Sequence, residues 1–355
     1  MYPKIYIYLD RIYENAKYLK SLCEKSKVEI VGVTKVTCGE PYVAQILKSS
    51  GINIIGDSRI QNIKNMKNFG INGPFMLLRI PMISEIDDVV KYADYTLISE
   101  LKVADKLGEA SKNFDKISKV IYMVDLGDLR EGVWLEDAID EISKAMRIKG
   151  IDVVGIGTNL GCFGGVIPDK DNMTELINIK IKIEEQFGNS LYIVSGGNTA
   201  ALPLIENKSL PEGINQFRLG ESIICGTDAT NNREVPGTRQ DTIILEAEII
   251  ELKEKPSIPK GAIGYDAFGR KPQFEDKGKR LKAILAVGEQ DISPSSIMPL
   301  DDENIEILHA SSDHAIVDLT ESTISYKVGD KIRFKLGYSS VLKAFTSPYV
   351  EKVIL

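Results

Sequence analysis

The sequence predicts an α/β protein in which a (β/α)₈ barrel of the TIM type is followed by a smaller all-β domain. Eight apolar, strand-like runs alternate with helical stretches as far as Gly220. Beyond Thr227 the pattern changes to runs in which apolar and polar residues alternate, with turn residues between them and no clear helix. The 355 residues suit two domains, and we predict a barrel over residues 1–226 and a β domain over 227–355.

The elements of the barrel follow from hydrophobic spacing. Lys4–Leu9 has the pattern of a short strand, and residues 1–9 are a candidate to pair with the β domain; Leu9–Lys25 then has apolar residues on one helical stripe. The eight strand-like runs begin near Glu29, Asn53, Phe75, Tyr95, Lys119, Asp152, Leu191 and Gln216. The helical stretches between them include Pro41–Ser49, Ser84–Tyr92, Glu100–Ser111, Trp134–Ile148 and Asn172–Phe187. Such alternation indicates parallel strands joined by crossover helices.

An open, doubly wound sheet is the alternative arrangement for the same alternation. It is less favoured because no GxGxxG motif follows the first strand. The β domain is predicted from the runs TIILEAEIIEL, RLKAILAVG, IEILHAS, HAIVDL, DKIRFKL and YVEKVIL.

Composition excludes several classes of function. The 44 basic and 51 acidic residues give a net charge of −7, which argues against binding to a nucleic-acid backbone. No apolar run reaches the roughly 18 residues of a membrane span. The four cysteines are far apart with no CxxC pair, which predicts a reducing compartment and a cytoplasmic protein. The two histidines, His309 and His314, exclude a histidine-based mechanism earlier in the chain.

Polar residues at the ends of the barrel strands are the candidates for an active site, since barrels of this type place their sites there. Lys35 follows the first strand, and the Gly196–Gly197 pair, Thr199 and Gly220 follow the last two, where phosphate is often bound. A lysine opposite a phosphate site suggests a covalent bond to pyridoxal phosphate, because burial and nearby arginines lower its pKa. From position alone, a solvated loop lysine and a simple glycine turn are the commoner interpretations.

Longer motifs narrow these alternatives. Nearly the whole chain resembles the fold-type III pyridoxal phosphate enzymes of the alanine racemase superfamily. The motifs that carry the resemblance are VTKVTCG around Lys35, VDLGDLREG around Arg130, SGGNTA around Thr199, FRLG around Arg218, GYDAFGR around Tyr265 and LGYSS around Tyr338. Four stretches, VTKVTCG, GDSRIQN, VDLGDLREG and IGTNLGCFGG, are most similar to the branch that racemises ornithine.

The resemblance implies a barrel that binds pyridoxal phosphate, a β domain, and a head-to-tail homodimer. It implies that Lys35 and Tyr265 are the two catalytic bases, with Lys35 carrying the cofactor and Tyr265 supplied by the partner chain. Arg218 is expected at the pyridine nitrogen, and Arg130 at the cofactor's phenolic oxygen and the substrate carboxylate. The implied cofactor-binding set is Lys35, Asn159, Ser195, Asn198, Thr199, Arg218, Gly220, Glu221 and Tyr338.

Three departures from alanine racemases bear on the substrate. Gly39 stands where they carry a Tyr, Asn159 where they carry a His, and Gln290-Asp291 where they carry a Met–Asp pair. We expect Gly39 to open room for a longer side chain. A second ammonium in a partly dry pocket needs an acidic partner, and we expect Asp291, beside Gln290, to be the first candidate and Asp128 the second.

These observations predict a racemase that interconverts L- and D-ornithine. The alternatives are a racemase of lysine or alanine, a decarboxylase on the same barrel, or a non-catalytic pyridoxal phosphate protein. Arg218 argues against decarboxylases, which use an acidic residue at the pyridine nitrogen, and the β domain argues against a barrel-only binding protein. Cys38 and Cys162 lie near the site with no histidine to activate them, so we expect both to be buried packing residues.

Overall fold

The computed structural model describes residues 2–188 and 190–355. Through the end of the barrel its elements are β1 (Lys4–Ile7), α1 (Leu9–Glu24), β2 (Glu29–Val33), α2 (Pro41–Ser49), β3 (Ile54–Asp57), α3 (Ile60–Phe69), β4 (Phe75–Leu77), α4 (Ile86–Tyr92), β5 (Tyr95–Ile98), α5 (Leu101–Asn113), β6 (Ser118–Asp125), β7 (Val133–Trp134), α6 (Ala138–Ala145), β8 (Ile151–Gly157), α7 (Lys170–Phe187), β9 (Ile193–Ser195), α8 (Leu202–Glu206), β10 (Gln216–Leu219) and α9 (Glu221–Ile224). Single 3₁₀ turns cover Lys35–Thr37, Ile83–Glu85, Leu135–Asp137 and Thr199–Ala201.

Eight parallel strands form a closed barrel in the order β2-β3-β4-β5-β6-β8-β9-β10. The ring closes because β10 pairs with β2, while β5 pairs with β6. The closed ring confirms the predicted barrel and excludes the open sheet. Both faces of a parallel sheet are covered, which explains why these strands are short, nearly continuous apolar runs.

One buried cluster draws side chains from seven of the eight barrel strands, and it packs the inside of the ring. Its members are Val31, Ile54, Met76, Leu97, Ile121, Met123, Val154 and Ile193. These apolar side chains pack the interior, and the buried polar residues Asp57, Ser195 and Arg218 lie at or near the ends of their strands.

Helix α3 lies where the alternation of strands and helices requires one, after the second barrel strand, although the hydrophobic pattern did not give its bounds. It buries only Ile60, Ile63 and Met66, and its other residues are mostly polar, so its apolar stripe is narrow. The predicted helix over Trp134–Ile148 is shorter in the structure, where α6 covers Ala138–Ala145.

The remaining elements are β11 (Thr227–Asp228), β12 (Arg233–Glu234), β13 (Ile243–Pro256), β14 (Lys279–Leu285), β15 (Ile297–Pro299), β16 (Glu306–Ala310), β17 (Ala315–Asp318), β18 (Lys331–Leu336), α10 (Tyr338–Thr346) and β19 (Glu351–Ile354), with a 3₁₀ turn at Pro294–Ser296. Two compact units result: one is Asp10–Arg239, and the other joins the N-terminal residues through Leu9 to Gln240–Leu355.

The division after Arg239 lies later than the expected boundary at residue 226. The intervening hairpin of β11 and β12 is bonded to the barrel unit: Thr230 Oγ1 donates to the carbonyl of Gly161 at 2.9 Å, and Arg233 forms an ion pair with Glu206 at 2.6 Å. Because of these bonds the hairpin belongs to the barrel unit. It is nevertheless no part of the barrel sheet, since its two strands pair only with each other.

The second unit is built on antiparallel pairing around the long strand β13, which pairs with β1, β14 and β18. β1 also pairs in parallel with β19, so the first strand of the chain lies in this sheet. The expectation that this region has no helix is wrong, because α10 buries Val341, Ala344 and Phe345 at helical spacing. Among the described residues, no helix is both long and apolar enough to cross a membrane.

Candidate active site

Five neighbouring strands bring the predicted barrel residues to one edge. Going round the ring, β2, β10, β9, β8 and β6 are successive neighbours, and being parallel they end on the same side. Lys35 follows β2, and the other candidates follow the strands beside it. These are Arg218, Gly220 and Glu221 on or after β10, Ser195, Asn198 and Thr199 on or after β9, Asn159 after β8, and Asp128 and Arg130 after β6.

Lys35 begins a single 3₁₀ turn in which the chain reverses abruptly after β2. The turn is organised by the carbonyl of Thr34, which accepts the backbone N–H groups of Thr37 at 3.0 Å and Gly39 at 3.2 Å. The hydroxyl of Thr37 donates to the same carbonyl at 2.9 Å. The turn ends in left-handed backbone at Cys38 and Gly39, with φ of 51° and 66°.

The amine of Lys35 is shifted toward its neutral form. Burial lowers the pKa of Lys35, and the charges of Arg130 and Arg218 lower it further, while Cys162 and Glu131 oppose the shift. A neutral amine can attack an aldehyde and accept a proton, whereas an ammonium can do neither. This environment differs from that of a solvated loop lysine.

Arg218 lies inside the barrel mouth with only 5% of its surface exposed. It donates to the carbonyl of Thr158 at 2.6 Å and to the hydroxyl of Ser195. Burial lowers its pKa to about 10, so the guanidinium still carries its charge at neutral pH. A shielded cation is therefore held beside the strand that leads to Lys35.

The loops after β9 and β10 present groups suited to an anion. Gly197 has a φ of 115° with open space where a side chain would lie, which favours glycine and lets the backbone approach a ligand. The hydroxyls of Thr199 and Ser222 lie 3.1 Å apart. Gly220 precedes α9, where the N–H of Ser222 donates to Thr199 Oγ1 at 3.2 Å and the N–H groups of Ile223 and Ile224 donate to the carbonyl of Gly220 at 3.1 and 2.9 Å. The carboxylate of Glu221 accepts the hydroxyl of Thr227 and the N–H of Ala229, both at 2.8 Å, so this side chain is turned to its own loop.

Two buried polar atoms at this edge have no hydrogen-bond partner among the described residues: Thr158 Oγ1 and Asn159 Nδ2. The other side of the Asn159 amide accepts a bond from Asn198 Nδ2 at 3.2 Å. Buried polar groups left unpaired cost about 1–3 kcal/mol each, so this pair indicates a polar ligand. Together with the lowered pKa of the Lys35 amine, the guanidinium and the glycine loops, these donors fit pyridoxal phosphate.

Arg130 is paired with Glu131, the residue next to it. Its Nε and Nη2 atoms each donate to one oxygen of that carboxylate. Sequence inspection did not single out Glu131, although an acidic residue beside a candidate carboxylate-binding arginine is a visible signal. The carboxylate of the substrate and the carboxylate of Glu131 would therefore both bind the guanidinium of Arg130.

Asp128 has a different role from the one expected. Its side chain is fully buried, and its oxygens accept the backbone N–H groups of residues 161, 162, 163 and 166 at 2.9–3.1 Å. A carboxylate has about four acceptor sites, and all four are used. Burial alone would raise the pKa of Asp128, but these four bonds outweigh it and lower the pKa. Asp128 fixes the loop after β8, and its four bonds leave no acceptor site for a substrate ammonium.

One further expectation near Lys35 is wrong. Cys162 is exposed and Cys38 is partly exposed, so neither is a buried packing residue. At Gly39 an added Cβ would lie 2.6 Å from the Cβ of Asn62, which α3 brings against the turn, so the position accepts no side chain. That the missing Tyr leaves room beside the cofactor stays a prediction.

The candidates of the second unit lie in two loops and at a helix start. Tyr265 is 76% exposed, in a segment between β13 and β14 that has neither helix nor strand. Tyr338 begins α10. Gln290 donates to Asp313 at 2.7 Å. Asp291 is 6% exposed and accepts two bonds, from the hydroxyl of Ser347 at 2.6 Å and the N–H of Gly288 at 3.3 Å.

Known proteins resemble this chain over its full length. Residues 7–227 match the family model of the alanine racemase N-terminal domain. The chain is 51% identical to a lysine racemase of Thermotoga maritima, with 99% of this chain and 98% of that protein covered. It is 47% identical to an ornithine racemase of Acetoanaerobium sticklandii, with 100% of both covered. The solved alanine racemase of Clostridium difficile 630 shares the fold, with a TM-score of 0.73 and 19% identity over 100% of this chain and 96% of that one.

Proposed function

Since the chain belongs to the alanine racemase family and is a pyridoxal-phosphate-dependent amino-acid racemase, we propose that its substrate is ornithine, interconverted between the L and D forms. One observation carries the proposal: the similarity to racemases of basic diamino acids extends over the whole chain, including both units. The likeness to alanine racemases is much lower, at 24% identity for the Clostridium acetobutylicum protein.

Lysine is the second candidate substrate, and it is favoured by the identity of 51% to the lysine racemase. The two amino acids differ by one methylene, which a hydrophobic pocket distinguishes by only about 1–3 kcal/mol. An enzyme of this kind can therefore accept both, and the ratio of kcat/KM for the two substrates is the quantity to measure.

The residues around Lys35 are proposed to hold the cofactor. Lys35 would bind it covalently, Arg218 would lie at the pyridine nitrogen, and the backbone N–H groups of Gly220 and Glu221 would hold the phosphate. The remaining proposed contacts are Asn159, Ser195, Asn198, Thr199 and Tyr338. When bound, pyridoxal phosphate withdraws electrons from the α-carbon of the amino acid and makes its α-hydrogen acidic. A charged Arg218 disfavours protonation of the pyridine nitrogen, because two adjacent positive charges repel.

Inversion of the α-carbon needs one proton-transfer group on each face. We assign these roles to the Nζ atom of Lys35 and the phenolic oxygen of Tyr265. The lowered pKa of Lys35 supports its role, because a neutral amine accepts the proton at one face. The tyrosine hydroxyl supplies a proton at the other face, and the roles exchange in the reverse direction.

A head-to-tail homodimer is part of the proposal, with Tyr265 acting in the barrel site of the partner chain. Its support is the exposure of the Tyr265 segment, where Ile263 and Phe268 are also about half exposed, at 48% and 47%. Apolar groups gathered on an irregular loop are typical of a surface that a partner covers. The cytoplasmic location stays a prediction.

Substrate recognition is assigned to Arg130 for the carboxylate and to Asp291, beside Gln290, for the second ammonium. Asp291 accepts two hydrogen bonds, so a carboxylate with about four acceptor sites keeps capacity for an ammonium. This distinguishes it from Asp128, whose capacity is fully used.

The test is to incubate the purified enzyme, loaded with pyridoxal phosphate, with L-ornithine, L-lysine and L-alanine in heavy water. Chiral chromatography and mass spectrometry then report the D enantiomer and one α-deuterium per product molecule. We expect the highest kcat/KM for ornithine. Faster racemisation of alanine than of ornithine and lysine would contradict the proposed substrate, and CO₂ release would indicate decarboxylation.

A further inference from the structure

We propose that two shielded carboxylates, Asp57 in the barrel and Asp266 in the second unit, are positioning residues, one for each proton-transfer group. Asp57 acts on Lys35 and Asp266 acts on Tyr265. The inference rests on the proposed function, in which these two groups serve opposite faces of the α-carbon. Neither carboxylate is assigned a contact with substrate or cofactor.

Asp57 ends strand β3 and has no exposed surface. Its Oδ2 accepts the hydroxyl of Thr34 at 2.8 Å. Its Oδ1 accepts the backbone N–H of Arg59 and the amide of Asn62, both at 2.9 Å. A buried carboxylate with three donors is held in one orientation, so it fixes the side chain of Thr34 directly before Lys35.

Thr34 transmits this constraint to the turn. Its N–H donates to the carbonyl of Gly56 at 2.9 Å, and its own carbonyl accepts three bonds from Thr37 and Gly39. The residue is thus held at its side chain, its N–H and its carbonyl. If the bond to Asp57 is lost, the hydroxyl of Thr34 keeps a longer bond to the carbonyl of Gly56 at 3.3 Å, so we expect its side chain and the turn that presents Lys35 to be held less firmly.

Asp266 plays the corresponding part beside Tyr265. Its Oδ1 accepts the N–H groups of Phe268 at 2.9 Å and Arg270 at 2.8 Å, and its Oδ2 accepts Arg270 Nε at 2.8 Å. The N–H of Asp266 returns a bond to the carbonyl of Arg270 at 2.8 Å. These bonds close a compact loop in a segment that has no strand or helix to hold Tyr265 in place.

Arg270 joins this loop to the neighbouring one. Its Nη2 donates to Glu289 at 2.6 Å, and Glu289 is adjacent in sequence to Gln290. The two carboxylates are mostly shielded, with side-chain exposures of 11% for Asp266 and 13% for Glu289. The planar guanidinium reaches both at once, which the single ammonium of a lysine cannot reproduce. The segment of Tyr265 is therefore tied to the loop of the proposed substrate residues.

The two networks have opposite kinetic signatures. The enantiomer whose α-hydrogen faces Lys35 loses it to Lys35, and the other enantiomer loses it to Tyr265. Displacing one group slows hydrogen removal in one direction only. In the other direction the same group delivers a proton to the α-carbon. That proton comes from solvent, so deuterium at the α-carbon of the substrate does not change the rate of this delivery step.

The experiment compares Asp57→Asn and Thr34→Val with Asp266→Asn and Arg270→Lys in the loaded enzyme. Each is assayed with L- and D-ornithine that carry hydrogen or deuterium at the α-carbon. We expect kcat to fall by about 10- to 100-fold, the effect of a misplacement near 1 Å. The α-deuterium isotope effect should rise in one direction for the first pair and in the opposite direction for the second. Thr34→Ser, which restores the hydroxyl, should behave like the wild type.

Hydrogen exchange gives a readout independent of turnover. Exchange should accelerate over residues 34–39 in the first pair and over 263–270 in the second. Thr34→Val and Arg270→Lys remove no buried carboxylate, so they decide the matter if the aspartate variants do not fold. Unchanged kcat, or isotope effects that change equally in both directions, would overturn this inference alone. Wild-type enzyme that racemises neither ornithine nor lysine would overturn the proposed function and this inference with it.

Discussion

Replacing Asp128 by Asn should release the loop after β8 while the barrel stays folded. Oδ1 of Asp128 accepts the N–H groups of Gly161 at 3.0 Å and Val166 at 3.1 Å. Oδ2 accepts those of Cys162 at 3.1 Å and Phe163 at 2.9 Å. An asparagine has one carbonyl oxygen, so one of these two pairs must face an NH₂ group that is itself a donor.

The magnitude follows from the number of bonds lost. A fully buried N–H left without an acceptor costs about 1–3 kcal/mol; these N–H groups are only partly buried, so two cost at most about 2–6 kcal/mol and we expect the lower end. The loop can avoid this cost by opening to water, and we expect most of the loss as local opening. Even the lower figure of about 2 kcal/mol raises the opening equilibrium constant about thirtyfold.

Hydrogen exchange read by mass spectrometry on a peptide spanning residues 160–167 measures this opening. The matched control is Asp125→Asn, since Asp125 also accepts two backbone N–H groups, those of Gly127 and Leu129, but none from the loop after β8. The peptide should exchange at least about ten times faster in Asp128→Asn and at the wild-type rate in Asp125→Asn. Equal protection in wild type and Asp128→Asn would refute the role assigned to the carboxylate.

The same carboxylate predicts a pH dependence. Its pKa is lower in the folded protein than in the unfolded chain, because the four N–H bonds outweigh burial. Its stabilising contribution is therefore complete above the unfolded-state pKa of about 3.9 and is lost as pH falls through the folded-state value. Protection factors of the loop should fall only below about pH 4 in the wild type, and Asp128→Asn should lack this transition.

Four other outcomes are expected. Lys35→Ala should lose the visible absorbance of bound pyridoxal phosphate and its fixation by borohydride, and uptake by the wild type should slow as pH falls through the lowered pKa of Lys35. Mixing Lys35→Ala with Tyr265→Phe chains should restore part of the activity, and heterodimers without recovery would contradict sharing between chains. Arg218→Glu should increase the pyridoxamine phosphate formed during turnover; normal racemisation without it would contradict the electronic role. Asp291→Asn should lower kcat/KM for ornithine more than for an uncharged amino acid of similar length, by a factor that corresponds to about 3–5 kcal/mol if the pair is well buried.

Much of the barrel could be predicted from sequence because its signals are local. Buried parallel strands are short apolar runs between turn residues, so all eight were located within a few residues of their observed bounds. Because the strands run in the same direction, the sequence alone predicts that Lys35, Thr199 and Arg218 lie at one edge of the barrel. The catalytic roles of these residues stay predictions, carried by the motifs and supported by the burial and charge around Lys35.

Tertiary structure decided what depends on contacts distant in sequence. Asp128 bonds to N–H groups 33 to 38 residues away, and nothing in its own motif distinguishes that role from substrate binding. Gly39 is confined by Asn62, which α3 brings against it. Hydrophobic periodicity records which side chains leave water, and so the sequence alone determined the order of strands and the edge that carries the polar residues. Hydrogen-bond partners of a buried carboxylate are chosen by geometry that forms only when distant segments meet, and so only the fold separated residues that position the site from those free to bind a ligand.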